Sequence, residues 1–207
     1  MDLFPPNSST NILPYDGTVR YHGIVMSHEE AQNYYDALMS KVPWKNDEAV
    51  IFGRHIVTAR KVAWYGDSGF SYTYSGTTKE ALPWSNELLA LKALAEEHTA
   101  MAFNSCLLNL YHSGDEGMGW HSDDEKSLVK NSAIASLSFG AERRFDFKHK
   151  RTGEKVSLPL VSGSLLVMQG ETQKHWRHQL PKSKKVTAPR INLTFRSMAA
   201  SHSGHGR

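Results

Sequence analysis

Apolar positions recur at helical spacing in the first half of the chain and at strand spacing in the second. Ser27-His-Glu-Glu30 has the form of a capping box, and Ala31, Tyr34, Leu38 and Val42 follow at intervals that stack on one helical face. Pro43 ends that helix. A second helix is expected from near Ser85, with Leu88, Leu91 and Ala95 on its buried stripe. Between the two, GFSYTYSG reads as a strand rich in aromatics and Thr. Beyond residue 100 the period becomes two. FNSCLLNLY, AIASLSF, RRFDF, SLLVM and RINLTFR are short runs separated by Gly, Pro and charged turns. Strands of this length and spacing predict a sandwich or barrel, with the helices packed outside it. The fold class expected is α+β, with a jelly-roll core in the C-terminal half.

Parity within the strands adds detail. In RINLTFR, Ile191, Leu193 and Phe195 share one face, and Arg190, Asn192, Thr194 and Arg196 share the other. Asn109 and Tyr111 share a face of FNSCLLNLY. Taken alone, this alternation is satisfied by an ordinary half-buried strand with its polar side in water.

Composition narrows the class. The 207 residues suit one domain with a full core, and 40% hydrophobic with 22% charged residues fits a globular chain. No apolar run approaches ~18 residues, so no transmembrane helix and no membrane partner are expected. MDLFPPNSSTNILPYDG lacks a basic start before an apolar stretch, which argues against a signal peptide. The single cysteine, Cys106, excludes an internal disulfide. A net charge of +3 is compatible with a polyanionic partner without requiring one. The Ser/Gly/His stretch from 199 to 207 reads as a disordered tail to a single domain spanning 1–198.

The candidate chemistry begins at HSDDE, residues 121–125. On a strand, His121 and Asp123 would point to the same side and could share one metal ion. KHWRHQLP offers His175 and His178 as a third ligand. Two histidines and one carboxylate on one face of an iron leave three positions open, as in non-haem Fe(II) oxygenases. A chelating cosubstrate such as 2-oxoglutarate needs a cation for its far carboxylate, and Arg190 or Arg196 would supply a two-bond fork.

Asn109-x-Tyr111, His121-x-Asp123, the late His of HWRHQLP and R-x-N-x-T-F-R (Arg190, Asn192, Arg196) together resemble the AlkB family of Fe(II)/2-oxoglutarate-dependent nucleic-acid dealkylases. The resemblance covers roughly residues 14–198. It is closest to the double-strand DNA repair branch, through IFGR, RKVAWYGD, GFSYTYSG, HSDDE, SLSFGAERRF and APRINLTFR. It implies a double-stranded β-helix core from about 101 to 198, with a nucleotide-recognition lid and supporting helices from about 14 to 100. It implies Fe(II), 2-oxoglutarate and O2 as cofactors, with His121, Asp123 and His178 as metal ligands and catalytic residues. His175 is left as a neighbour. Asn109, Tyr111, Arg190, Asn192 and Arg196 would bind the cosubstrate.

The same resemblance implies oxidation of an N-methyl group on a base such as 1-methyladenine or 3-methylcytosine, with loss of formaldehyde and release of succinate and CO2. A methyl on a pairing nitrogen weakens pairing, so the damaged base is cheaper to extrude. Tyr72, Tyr74 and Ser75 would border the base pocket, and Asp124 or Glu125 would face the base. Phe52 would enter the gap left in a duplex. Arg60 belongs with the basic residues expected near phosphates. The partner expected is alkylated DNA, double-stranded by preference, bound by a monomer. The compartment expected is the nucleoid-associated cytoplasm if bacterial and the nucleus if eukaryotic. The rivals are the same chemistry on RNA, a protein side chain or a small molecule, and a binding module that has lost turnover.

Overall fold

A computed structural model describes residues 10–51, 54–67, 71–74, 77–125 and 127–199, with the side chains at 49–51, 54–56, 71–74 and 77–79 left undescribed. The strands are β1 (Thr18–Ile24), β2 (Lys45–Ile51), β3 (Arg54–Gly66), β4 (Ser71–Tyr74), β5 (Thr77–Glu80), β6 (Ser105–Tyr111), β7 (Met118–His121), β8 (Ile134–Gly140), β9 (Arg143–His149), β10 (Lys155–Leu160), β11 (Ser164–Gln169), β12 (Trp176–Leu180) and β13 (Arg190–Arg196). The helices are α1 (His28–Lys41), α2 (Asn86–Thr99) and the single turn α3 (Thr172–His175).

Both long helices start where the sequence places them. The Ser27 hydroxyl accepts from the backbone of Glu30, and the Glu30 carboxylate accepts in return from the backbone of Ser27. Ser85 caps α2 by accepting from Leu88 N. Ala31 and Leu38 of α1 and Leu88, Leu91 and Ala95 of α2 are buried, so the expected stripes are the packed ones.

The strands form a seven-stranded sheet, ordered β1-β11-β8-β13-β6-β3-β2, and a four-stranded sheet, ordered β10-β9-β12-β7. α1 and α2 cover the outer face of the larger sheet. The core there joins Ala31, Leu38, Leu88 and Leu91 to Leu108, Leu137, Leu193 and Phe195. A second core lies towards one end between the sheets, where Ile134, Leu166 and Met168 meet Phe147, Leu160 and Trp176. The antiparallel sandwich with outer helices is the α+β jelly roll expected.

The parity of β13 has a different consequence from the ordinary one. Ile191, Leu193 and Phe195 face the helices, as alternation requires, but Arg190, Thr194 and Arg196 on the other face are buried too. The polar face of β13 looks into the sandwich rather than into water. Burying two arginines this way is costly without anionic partners, so their surroundings carry the functional argument.

Candidate functional site

One pocket between the sheets is lined by Asn109 and Tyr111 of β6, His121 of β7, His178 of β12, Arg190, Asn192 and Arg196 of β13, and Asp123. Register explains the convergence. Within the large sheet, Asn192 lies opposite Asn109 and Arg190 opposite Tyr111, so the inward faces of β6 and β13 form one polar surface. Within the small sheet, His178 lies opposite His121.

His121, Asp123 and His178 each offer a donor atom, and the three atoms lie within 4.8 Å of one another. His121 Nε2 is 3.7 Å and His178 Nε2 is 3.9 Å from Asp123 Oδ1. His121 Nδ1 is 2.8 Å from the Gly119 carbonyl, which can only accept, so Nδ1 carries the proton and Nε2 presents its lone pair. His178 stacks against Phe145 and is almost fully buried. Burial pushes its imidazole down to about 4, with Asp123 opposing that shift and His121 adding to it. The ring is therefore neutral near pH 7, the form a metal requires. Burial would raise the Asp123 carboxyl, but Arg196, then His178 and His121, outweigh it and hold the group below its ordinary value.

The route by which Asp123 arrives corrects the strand argument for H-x-D. β7 ends at His121, and Asp123 lies in the loop beyond it. Strand parity does not bring the two together. Instead, Gln173 Oε1 accepts from Asp123 N at 2.9 Å, and Ser122 donates to the Trp176 carbonyl at 2.9 Å. The turn is fixed by contacts to α3 and the start of β12. Nothing in the spacing of H-x-D signals Gln173, 50 positions away.

The cationic end of the pocket is also built. Arg190 is 2% exposed, donates through Nη2 to Ser138 Oγ at 2.9 Å, and lies 5.8 Å from the centre of the Tyr111 ring. Burial pushes its guanidinium down to about 10, partly offset by Tyr111, so it stays charged at neutral pH. Its Nε is buried with no hydrogen-bond partner. A buried cation with an unused donor fits a carboxylate ligand. Arg196 places Nη2 3.1 Å from Asp123 Oδ2 and Nη1 3.6 Å from Glu125, while its own Nε is buried and unpartnered. Asn192 donates to Ser136 Oγ and to the Leu137 carbonyl, which braces it across the sheet. The donor set and the two unpartnered arginine nitrogens fit a divalent metal with an anionic chelating cosubstrate.

Other expected residues are distributed differently. Arg60 is 9% exposed and turned inward, where it donates to Asn109 and pairs with Asp47. That guanidinium is engaged beside the pocket rather than presented to a phosphate: β3 pairs directly with β6, Val62 lies opposite Asn109, and Arg60, two positions away on the same face, reaches Asn109 with its side chain. Asp124 and Glu125 are exposed. Tyr72 and Tyr74 lie on β4, paired to β5, with side chains outside the description, and Phe52 and Ser75 fall outside the described residues. His175 lies apart, half-buried beside His149. Sequence reasoning missed Ser138 and Gln173, which bond Arg190 and Asp123. It also missed Arg143, which lies 5.9 Å from the Tyr111 ring and donates to the carbonyls of Ser113, Glu116 and Pro181. An arginine in a charged RRF run carries no such signal.

Residues 17–196 match the family model of the 2OG-Fe(II) oxygenase superfamily. The chain is 42% identical over 180 residues to alpha-ketoglutarate-dependent dioxygenase alkB homolog 3 of Bos taurus, covering 82% of this chain and 62% of that one. It is 42% identical over 178 residues to DNA oxidative demethylase ALKBH2 of Mus musculus, covering 82% and 72%. Against the Arabidopsis thaliana ALKBH2, identity is 32% over 220 residues, covering 92% of this chain and 69% of that one. The solved structure titled "The structure of OsALKBH1" shares the fold at a TM-score of 0.59 and 14% identity, over 89% of this chain and 98% of the other. The chain belongs to the 2OG-Fe(II) oxygenase superfamily and, within it, to the AlkB family, whose cofactors are Fe(II), 2-oxoglutarate and O2.

Proposed function

We propose that this protein oxidatively removes alkyl groups from N-alkylated bases in DNA, such as 1-methyladenine and 3-methylcytosine, as a direct-reversal repair enzyme. The observation that carries the reading is the placement of His121, Asp123 and His178 in one pocket with a buried, charged Arg190 whose Nε is unpartnered. Relatives named as DNA oxidative demethylases support the choice of substrate. Iron with 2-oxoglutarate and O2 would supply hydroxylation of the N-alkyl carbon: one oxygen atom goes to 2-oxoglutarate, which leaves as succinate and CO2, and the other to the methyl group, which leaves as formaldehyde.

The protein's own groups bind, orient and shield. His121 would bind through Nε2, His178 through a neutral imidazole and Asp123 through its carboxylate, the one anionic group among the three. Arg190, held by Ser138, grips the far carboxylate of 2-oxoglutarate, while Asn109, Tyr111 and Asn192 line the same surface. Arg196 neutralises Asp123 and offers its remaining donor at the metal end. Arg60 braces Asn109 from behind. On the substrate side, Tyr72, Tyr74 and Ser75 border the extruded base. Asp124 or Glu125 accepts from an exocyclic amine or offsets the charge of a methylated ring. Phe52 fills the vacated stack, which gives the preference for duplex DNA. The protein acts as a monomer, in the nucleus or nucleoid according to source.

The test is incubation with oligonucleotides carrying 1-methyladenine or 3-methylcytosine, with Fe(II), ascorbate and 2-oxoglutarate, followed by mass analysis of the bases. Single-stranded DNA, duplex DNA and RNA form separate arms. Loss of the methyl group, faster in duplex DNA than in RNA, is expected. Turnover of RNA alone would replace the DNA reading, and turnover of none would remove nucleic acid as the substrate.

A further inference from the structure

A second cluster of the same composition lies outside the pocket. Asp16, His149 and His175 each offer one donor atom, and these atoms also fall within 4.8 Å of one another. Asp16 precedes β1, His149 ends β9 and His175 ends α3, so three segments distant in sequence converge. His149 is 1% exposed, yet its Nε2 has no hydrogen-bond partner and points at Asp16, whose Oδ2 is 3.3 Å away. Donors about 2.0–2.1 Å from a tetrahedral ion sit about 3.3–3.4 Å from each other. The Asp16–His149 separation is that spacing, and it is shorter than the 3.7 and 3.9 Å separations of the pocket cluster. Glu171 Oε2 lies 3.5 Å from His175 Nε2 and orients that ring from outside the cluster of three.

We propose that Asp16, His149 and His175 form a second divalent-cation site, of the nitrogen-and-carboxylate class that takes Zn(II). One rearrangement accompanies binding. In the cation-free arrangement His149 Nδ1 accepts from Thr152 N at 3.1 Å, which puts the ring proton on Nε2. Coordination through Nε2 moves that proton to Nδ1, where Thr152 Oγ1, also at 3.1 Å, accepts it, and the bond from Thr152 N to Nδ1 is given up as that N–H turns away.

The site would act as a clamp. The segment before β1 is already tied to β12 by the bond from Trp176 Nε1 to the Tyr15 carbonyl at 3.0 Å. A cation adds a second tie at His175, three positions before His178 and two after Gln173, which holds Asp123. Its effect is on the stability of this edge of the sandwich rather than on the chemistry.

The experiment is equilibrium dialysis of the whole protein against Zn(II) with metal analysis, for the wild type, His175→Ala and Asp16→Asn. Both side chains are accessible, and Asn tolerates the positive φ of 51° at residue 16, so the fold is retained. His175→Ala is expected to bind one zinc fewer per chain than wild type. Asp16→Asn is expected to bind that zinc at least tenfold more weakly. The rise in melting temperature on adding Zn(II) shrinks in both. Reading a difference between variants cancels zinc held at the pocket or by His202 and His205. Equal zinc and equal melting shifts in all three chains would overturn the site and leave Asp16 and His149 as a simple polar pair. Fe(II)-dependent turnover is measured in parallel, so failure of the pocket reading and failure of this one are distinct results.

Discussion

At the scale of single residues, the choice between His175 and His178 is the sharpest test of the pocket. His178→Ala removes a donor from the cluster of three and should abolish iron-dependent demethylation, whereas His175→Ala should retain most of it, read as formaldehyde release. The reverse pattern would mean that the pocket histidine is not a ligand. Arg190→Lys keeps a charge but not the planar fork, and Lys cannot bond Ser138 and a carboxylate in the same geometry. The KM for 2-oxoglutarate should rise roughly tenfold or more, about 1.4 kcal/mol per tenfold, with the demethylation of saturated enzyme less affected. Unchanged cosubstrate dependence would take Arg190 out of that role. The inward parity of Arg190 and Arg196 was legible in R-x-N-x-T-F-R, but parity alone equally fits a wet strand face. What decides is the second sheet lying over that face, a long-range fact that no local pattern contains. Arg60 shows the same limit from the other side, since only β3–β6 pairing turns it towards Asn109.

At the scale of elements, patterns with a local cause were readable and those set by neighbours were not. The capping box of α1 and the stripe of α2 follow from backbone geometry within a few residues, and both are present. β3 runs 13 residues through Arg54–Gly66 with charges among its apolar positions, and it is a strand because β2 and β6 pair on either side. The turn after β7, rather than the strand, delivers Asp123, so Gln173→Ala should weaken Fe(II) binding roughly tenfold while His121 stays in place. That range suits loss of a group that orients a metal ligand, and it is read by Fe(II) titration. An unchanged affinity would show that the turn holds without α3. β2 and β3 pair up to Ile51↔Arg54, and Phe52 falls outside the described residues. If Phe52 enters a duplex, Phe52→Ala should slow repair of duplex DNA by roughly tenfold, with single-stranded repair and melting temperature unchanged. Equal losses on both substrates with a lowered melting temperature would instead mark a core residue.

At the scale of the whole molecule, the sandwich trades stability for a polar interior, and pH exposes the trade. In the metal-free chain, burial holds His178 at about 4 against an ordinary 6.5. The unfolded chain therefore takes up its proton first as pH falls, and stability is lost between about 6.5 and 4, on the order of 3 kcal/mol. Asp123 has the opposite charge type but the same direction. Its depressed value gives stability that is present above 3.8 and disappears as acid reaches the folded carboxylate. Urea unfolding across this range should show the decline, flattened in His178→Gln; an equally steep decline in that variant would place the acid sensitivity elsewhere. Fold class, the two long helices and the convergence of His121, Asp123 and His178 were legible because each rests on a local motif or on the family resemblance. The sheet order, the buried polar face and the supports from Ser138, Gln173 and Arg143 were not, because they are set by contacts across the sandwich. The most direct test of the central claim is the yield of succinate and formaldehyde from a 1-methyladenine oligonucleotide with Fe(II) and 2-oxoglutarate. Formaldehyde should match the methyl groups lost, succinate should rise with added substrate, and His178→Ala should give neither. Succinate that ignores the methylated base, or methyl loss that survives in His178→Ala, would contradict the account.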